Sequence, residues 1–116
     1  MTIKFYKSIK KLQIQKYFQF IIKNKFKDLE IILHKKVKLF DGKIILSGRK
    51  SVIGFTRKIF LKKKIKINNI IILQDTKYKI TLCKFDLNIG KKKLKVIDEF
   101  FFDKDNKILN ITVYKR

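Results

Sequence analysis

An α+β fold, with helices packed on one face of a curved, mostly antiparallel sheet that encloses an apolar pocket, follows from three features of this 116-residue sequence. Apolar residues in the first half recur at helical spacing, everything after Leu61 alternates with period two, and short polar turns separate the alternating stretches. The length suits a single domain, residues 1–116, because two cores would leave each half with too little apolar surface to bury. With 46% hydrophobic residues, 11 Phe and 4 Tyr, core material is ample and wholesale disorder is excluded.

From Ser8 to Asn24 the large apolar residues Ile9, Leu12, Tyr17, Phe20 and Ile21 form a helical stripe with lysines between them. Asp28 is placed to cap a short second helix carrying Leu29, Ile32 and Leu33, with Lys35 and Lys36 at its C-terminal end. A period-two stretch follows, with Val37, Leu39 and Asp41 on one face, and Asp41-Gly42 signals a hairpin turn. The return runs from Lys43 to Leu46 and closes at Ser47-Gly48; Val52, Phe55, Ile59 and Phe60 then mark a third helix. Four long strands are predicted over residues 65–74, 78–87, 92–102 and 107–115. Their separators, Asp75-Thr76-Lys77, Asn88-Ile89-Gly90 and Asp103 to Asn106, are short enough to make successive strands an antiparallel meander.

The formal charge is +22, from 31 Lys and Arg against 9 Asp and Glu. Such a charge invites a nucleic-acid or anionic-membrane reading. However, the basic residues are 28 Lys and only 3 Arg, beside 21 Ile and no Ala or Pro, a skew that A+T-rich coding imposes on any surface. Nucleic-acid sites favour Arg for bidentate and stacking contacts, so a basic RNA-associated protein is the third reading. Apolar runs such as Ile70 to Leu73 fall far short of the roughly 20 residues of a membrane span. Lysines at 4, 7, 10 and 11 interrupt the first residues, so no signal segment is read and the cytoplasm is the expected location. Single Cys83 and single His34 remove a disulfide, a Cys/His zinc site and a Cys-His nucleophile pair.

Each acid in so basic a chain needs a reason. Asp75, Asp103 and Asp105 fall in turns, and Asp86 near a strand end faces solvent or the Lys91 to Lys93 run. Asp98 differs: its face of the strand is Leu94, Val96, Phe100 and Phe102, the row that points inward. There a carboxyl is desolvated, which favours the neutral, hydrogen-bond-donating acid. A structural acid paired with a lysine, or a bulge turning Asp98 outward, fits the same pattern. Asp41 ends the inward row of Val37 and Leu39, and either faces the pocket or belongs to the Asp-Gly turn. Tyr17 lies on the buried stripe of the first helix, where it is either plain core or a phenol needing a partner. His34 is read as a solvated helix-end residue and Cys83 as a small buried one.

Lys92 to Tyr114, KKLKVIDEFFFDKDNKILNITVY, resembles the closing hairpin of the nuclear transport factor 2-like (SnoaL-like) superfamily: an apolar strand with an embedded Asp, an acidic turn, a basic residue and a last strand. Val37 to Phe60, VKLFDGKIILSGRKSVIGFTRKIF, resembles that superfamily's strand ending in an acid, short excursion, Gly and helix opening. The resemblance implies the cone-shaped α+β fold. It is sharpest toward the ketosteroid isomerases, because Tyr17 in IQKYF, Asp41 and Asp98 in VIDEF match their catalytic set. It implies Tyr17 and protonated Asp98 as an oxyanion hole, Asp41 as general base, no cofactor or metal, and a small apolar ketone or steroid-like ligand. A homodimer through the outer sheet face, covering Phe101 and Ile97, is implied as well. Where the family often has a supporting tyrosine this chain has Thr56, and Asp41 is followed by Gly42 rather than Pro. A SnoaL-like protein binding or transforming another apolar carbonyl compound is the second reading.

Overall fold

The structure, a computed structural model, describes residues 2–62, 64–75 and 80–115, with side chains from Ile9 onward except that of Lys62. Helix α1 spans Thr2–Ile22 and a 3-10 helix spans Phe26–Ile31; strands β1 (Leu33–Asp41) and β2 (Ile44–Ser47) form a hairpin. Helix α2 covers Arg49–Lys62, and strands β3 (Ile65–Asp75), β4 (Ile80–Ile89), β5 (Lys92–Phe102) and β6 (Ile108–Lys115) complete the chain. The expected α+β fold is therefore present. Thr76, Lys77 and Tyr78, assigned from sequence to a turn and a strand start, lie outside the described residues.

All six strands join one sheet in the order β2-β1-β6-β5-β4-β3. Strands β3 to β6 form the antiparallel meander, while β1 pairs with β6 in parallel. That parallel pairing brings the two ends of the fold together. It is seeded where the Ile108 amide donates to the Ile32 carbonyl at 2.8 Å, with Leu33 opposite Ile108. The β5–β6 turn is closed by Asp103, whose Oδ1 accepts from the amides of Asp105 and Lys107 at 2.8 and 2.9 Å.

Several local expectations need correction. The second helix is a single 3-10 stretch, and Asp28 does not cap it: Lys25 is the N-cap, and the Asp28 amide donates to the Lys25 carbonyl. Leu33, His34, Lys35 and Lys36 belong to β1, whose pairing with β6 begins at Leu33 opposite Ile108 as soon as the 3-10 turn ends and resumes at Lys38 after an irregularity. His34 is thus a strand residue. Its Nδ1 accepts from the Lys36 amide and its Nε2 lies 3.8 Å from Asp103 Oδ2. On α1 the buried stripe is Ile14, Tyr17, Phe18 and Ile21, spaced by three and four, whereas Ile9 and Leu12 face outward.

Packing of that stripe is aromatic. The Phe18 ring meets Phe85 edge-on at 4.9 Å between centroids, and Tyr17 meets Phe100 at 5.5 Å. Phe100, Val96, Val37, Ile108 and Ile111 supply the fully buried floor from the sheet. Edge-to-face pairs of this kind contribute roughly 0.5–1.5 kcal/mol beyond the apolar area they bury. They also fix the rotation of α1 over the sheet, and with it the direction of Tyr17.

Candidate active site

Between α1, α2 and the inner face of the sheet lies a cavity of about 80 Å³. The helices close it with Tyr17, Phe18 and Ile21 on one side and Phe55, Thr56, Ile59 and Phe60 on the other. From the sheet come Leu39 and Asp41, Phe85 and Leu87, Val96 and Asp98, and Val113 and Lys115. Apart from Thr56, the polar side chains are Tyr17, Asp41, Asp98 and Lys115. The three residues singled out in the sequence therefore share one cavity.

Strand register explains how residues 41 and 98 arrive there. Val113 on β6 stands opposite Asp41 on β1 and opposite Asp98 on β5, so the three lie in one row across the sheet. Directly opposed residues share a face, and two strand spacings put the two Asp Cα atoms about 10 Å apart. The row continues to Cys83, which is opposite Asp98 on β4. Lys115, two residues beyond Val113 on the same strand, returns to the same face. Its Nζ donates to Asp41 Oδ2 at 3.0 Å. Asp41 is the last residue of β1, paired with Ile44, and the turn itself is made by Gly42 at φ 62° and Lys43. It therefore belongs to the strand and to the cavity wall.

Asp98 is 4% exposed, and its Oδ1 is enclosed without a hydrogen-bond partner. The outward bulge is absent, since β4 and β5 pair without a break from Thr81 to Ile89, and among the described residues no lysine forms an ion pair with this carboxyl. Burial pushes its pKa up to about 8, the Asp41 charge pushes the same way, and the Lys115 ammonium pulls it partly back. Asp98 is thus mostly protonated at neutral pH. Tyr17, 5% exposed, is raised well above the ordinary phenol range by burial first, then by Asp98 and Cys83. It stays a neutral donor. Cys83 is pushed up to about 12 by burial and by Asp98, so it is a thiol and not a nucleophile.

Thr56 is buried and its hydroxyl donates to the Val52 carbonyl at 2.8 Å, one turn back on α2. It therefore serves its own helix and gives no hydrogen bond to Tyr17. Asp86 stands apart from the cavity, accepting from Asn69 Nδ2 at 2.8 Å with Lys93 at 3.7 Å. Among the described residues, no cluster of three His, Cys, Asp or Glu side chains could hold a metal ion, and no helix is long and apolar enough to cross a membrane. Lys115 is the site residue that the sequence analysis missed. The signal was present in the alternation of Ile111, Val113 and Lys115, but a lysine among 28 attracts no notice.

The elevated Asp98 pKa has a measurable consequence. In the unfolded chain this carboxyl loses its proton near its ordinary value of 3.8, whereas in the folded chain it keeps it until about 8. Between those values the folded state binds the extra proton, so stability falls as pH rises, by about 1.4 kcal/mol per pH unit from this group. Asp98→Asn cannot titrate. Urea unfolding at pH 4.5 to 7.5 is expected to show the wild type losing stability relative to Asp98→Asn as pH increases, and parallel curves would contradict the burial of a titrating acid here.

No protein-family model and no curated protein matches the sequence. Solved structures do resemble it. A steroid delta-isomerase from Pseudomonas aeruginosa superposes with TM-score 0.75 at 17% identity, over 93% of this chain and 80% of that one. An epoxide hydrolase/cyclase-like enzyme, SalBIII, with a role in pyran ring formation in the polyether salinomycin, gives TM-score 0.80 at 12% identity, over 95% and 92%. A nuclear transport factor 2-like protein of unknown function from Cytophaga hutchinsonii gives 0.77 at 12% identity, over 92% and 89%. At these identities the likeness establishes the fold, the cone-shaped nuclear transport factor 2-like one, and the chemistry rests on the residues of the cavity.

Proposed function

We propose that this chain, acting as one domain, is a cofactor-independent isomerase that moves a C=C bond of an apolar β,γ-unsaturated ketone into conjugation, with a 3-oxo-Δ5-steroid-like ketone as the reference substrate. The observation that carries the reading is the buried, unpartnered Oδ1 of Asp98 in the same cavity as Tyr17 and Asp41. A buried polar atom without a partner costs free energy, and a ligand oxygen arriving there would supply one.

In the proposed reaction the Asp41 carboxylate takes the proton α to the carbonyl, leaving a dienolate, and returns it at the γ carbon. The proton balance is closed within one turnover. Charge that builds on the carbonyl oxygen is met by the Tyr17 hydroxyl and the protonated Asp98 carboxyl, both neutral donors in apolar surroundings. The aliphatic and aromatic walls keep water from the intermediate.

One observation favours a second reading, a SnoaL-like protein binding or transforming another small apolar carbonyl compound. At about 80 Å³ the cavity is well below the roughly 300–1,000 Å³ usual for drug-sized ligands. A four-ring skeleton would need α1 and α2 to separate. The two readings part on enone absorbance with a β,γ-unsaturated 3-ketosteroid and with a β,γ-unsaturated cyclohexenone. Conversion of either supports the isomerase, and conversion of neither rejects it.

A homodimer, located in the cytoplasm, completes the proposal. Ile97, Tyr114 and Phe101 are exposed on the outer face, with Ile97 opposite Tyr114 in register, an apolar patch suited to a second copy. Light scattering is expected to give twice the 14.0 kDa chain mass and to fall to the monomer for Phe101→Glu. A wild type at monomer mass would end the dimer proposal.

A further inference from the structure

Asp41 is the last residue of β1, and among the described residues its carboxylate has one partner, the Lys115 ammonium, 3.0 Å from Oδ2. Strand register explains why the lysine serves this carboxyl and not the other. Val113 stands opposite both Asp41 and Asp98, and Lys115 is one step further along the same face of β6. On the β5 side Val96 fills the place opposite Lys115, whereas on the β1 side the chain has already turned at Gly42 and leaves the flank open. The ammonium accordingly pairs with Asp41 and, among the described residues, makes no ion pair with Asp98.

Holding Oδ2 restrains rotation of the Asp41 carboxylate and leaves Oδ1 as the oxygen to take the proton. Fixing a reacting group in this way lowers the entropy cost of the step it performs. The Asp41 side chain is 14% exposed and that of Lys115 44%, so the restrained carboxylate is sheltered while its anchor is half in water. A half-solvated pair adds little stability, and its effect is on orientation. The placement also keeps the two carboxyls of the cavity unlike, one beside a cation and one without a partner. Within the isomerase reading, on which this statement rests, we infer that Lys115 is a positioning residue: it holds Asp41 Oδ2 so that Oδ1 carries the proton, and it settles the negative charge of the cavity on Asp41 instead of Asp98. Lys115 acts through Asp41 and makes no demand on the ketone.

Steady-state kinetics across pH, on the β,γ-unsaturated ketone that the wild type converts, tests this role. Lys115→Met is expected to lower kcat by at least about tenfold with KM unchanged, and Lys115→Arg, which keeps a cation at the end of a long side chain, to restore most of it. The alkaline limb of kcat/KM supplies a readout that a merely structural lysine would not move. Asp98 is faced by Tyr17 from α1, Cys83 from β4, Asp41 from β1 and Lys115 from β6, and α2 brings no charged side chain to the cavity. In the wild type the limb should fall near pH 8, where Asp98 loses its proton. The ammonium favours that loss, so the limb should move to higher pH in Lys115→Met and stay in place in Lys115→Arg. Lys92→Gln, which removes an exposed lysine outside the cavity, should change neither kcat nor the limb. Unchanged kcat or an unmoved limb in Lys115→Met, an equal loss in Lys115→Arg, or the same changes in Lys92→Gln overturns the inference. A wild type that forms no enone rejects the isomerase reading and this inference with it, whereas an active wild type matched by Lys115→Met loses only the inference.

Discussion

Asp41→Asn is expected to remove nearly all enone formation while an apolar ketone still binds. The amide has almost the volume of the carboxylate and its carbonyl oxygen can still accept from Lys115 Nζ, so the cavity wall between Asp41 and Lys115 should keep its shape. What disappears is the basic lone pair. General base catalysis contributes roughly 10²–10⁴-fold, and without a substitute base in the cavity the loss in kcat should lie in that range with KM little changed. Asp98 cannot replace it, because a carboxyl with its pKa near 8 holds its proton at neutral pH. Steady-state kinetics on both proteins decides the matter. A fully active Asp41→Asn would eliminate the mechanism, and a variant that loses binding in step with turnover would assign Asp41 to the cavity wall alone.

Much of this site was legible because β-structure writes its faces into parity. The row Leu94, Val96, Asp98, Phe100 and Phe102 places Asp98 inward, and Asp98 is found buried between Val96 and Phe100. The same reasoning placed Val37, Leu39 and Asp41 on one face, where Val37 and Leu39 are buried and Asp41 reaches the cavity. Parity says nothing about which strands become neighbours. The β1–β6 parallel pairing, which joins residues more than seventy positions apart and sets Asp41 beside Lys115, has no local signature, since Asp41 and Lys115 share no turn and no sequence neighbour. Helical periodicity was weaker as a guide. With apolar residues on every side of α1, the stripe read from the sequence ran through Ile9 and Leu12, whereas the buried one runs through Ile14 and Phe18, where Phe18 packs edge-on against Phe85. The 3-10 stretch was missed for a similar reason. Leu33 looks like a continuation of Leu29 and Ile32 until the last strand arrives to pair with it.

Asp98→Ala is expected to behave differently from Asp41→Asn, in both rate and stability. If its carboxyl donates to the developing oxyanion, deletion should cost about 2.7–4 kcal/mol of transition-state stabilisation, or 10²–10³-fold in kcat, the usual loss for one such donor. Tyr17→Phe should fall in the same class, since it removes the other donor and keeps the ring that packs against Phe18 and Phe100. Turnover should survive at a reduced level in each because Asp41 remains. Stability supplies the readout that a merely structural acid would not give. A buried carboxylate tied into a hydrogen-bond network destabilises the fold when it is removed, by leaving its partners unmet. Asp98 Oδ1 has no partner to strand, and at neutral pH the folded state already bears the cost of burying it. The small cavity left by alanine works against this gain, so urea unfolding at pH 7 should show Asp98→Ala close to the wild type while kcat drops. Full activity in Asp98→Ala would remove the acid from the oxyanion hole. A variant that loses several kcal/mol of stability together with its activity would make Asp98 a structural residue, and the cavity would then have to be explained without it.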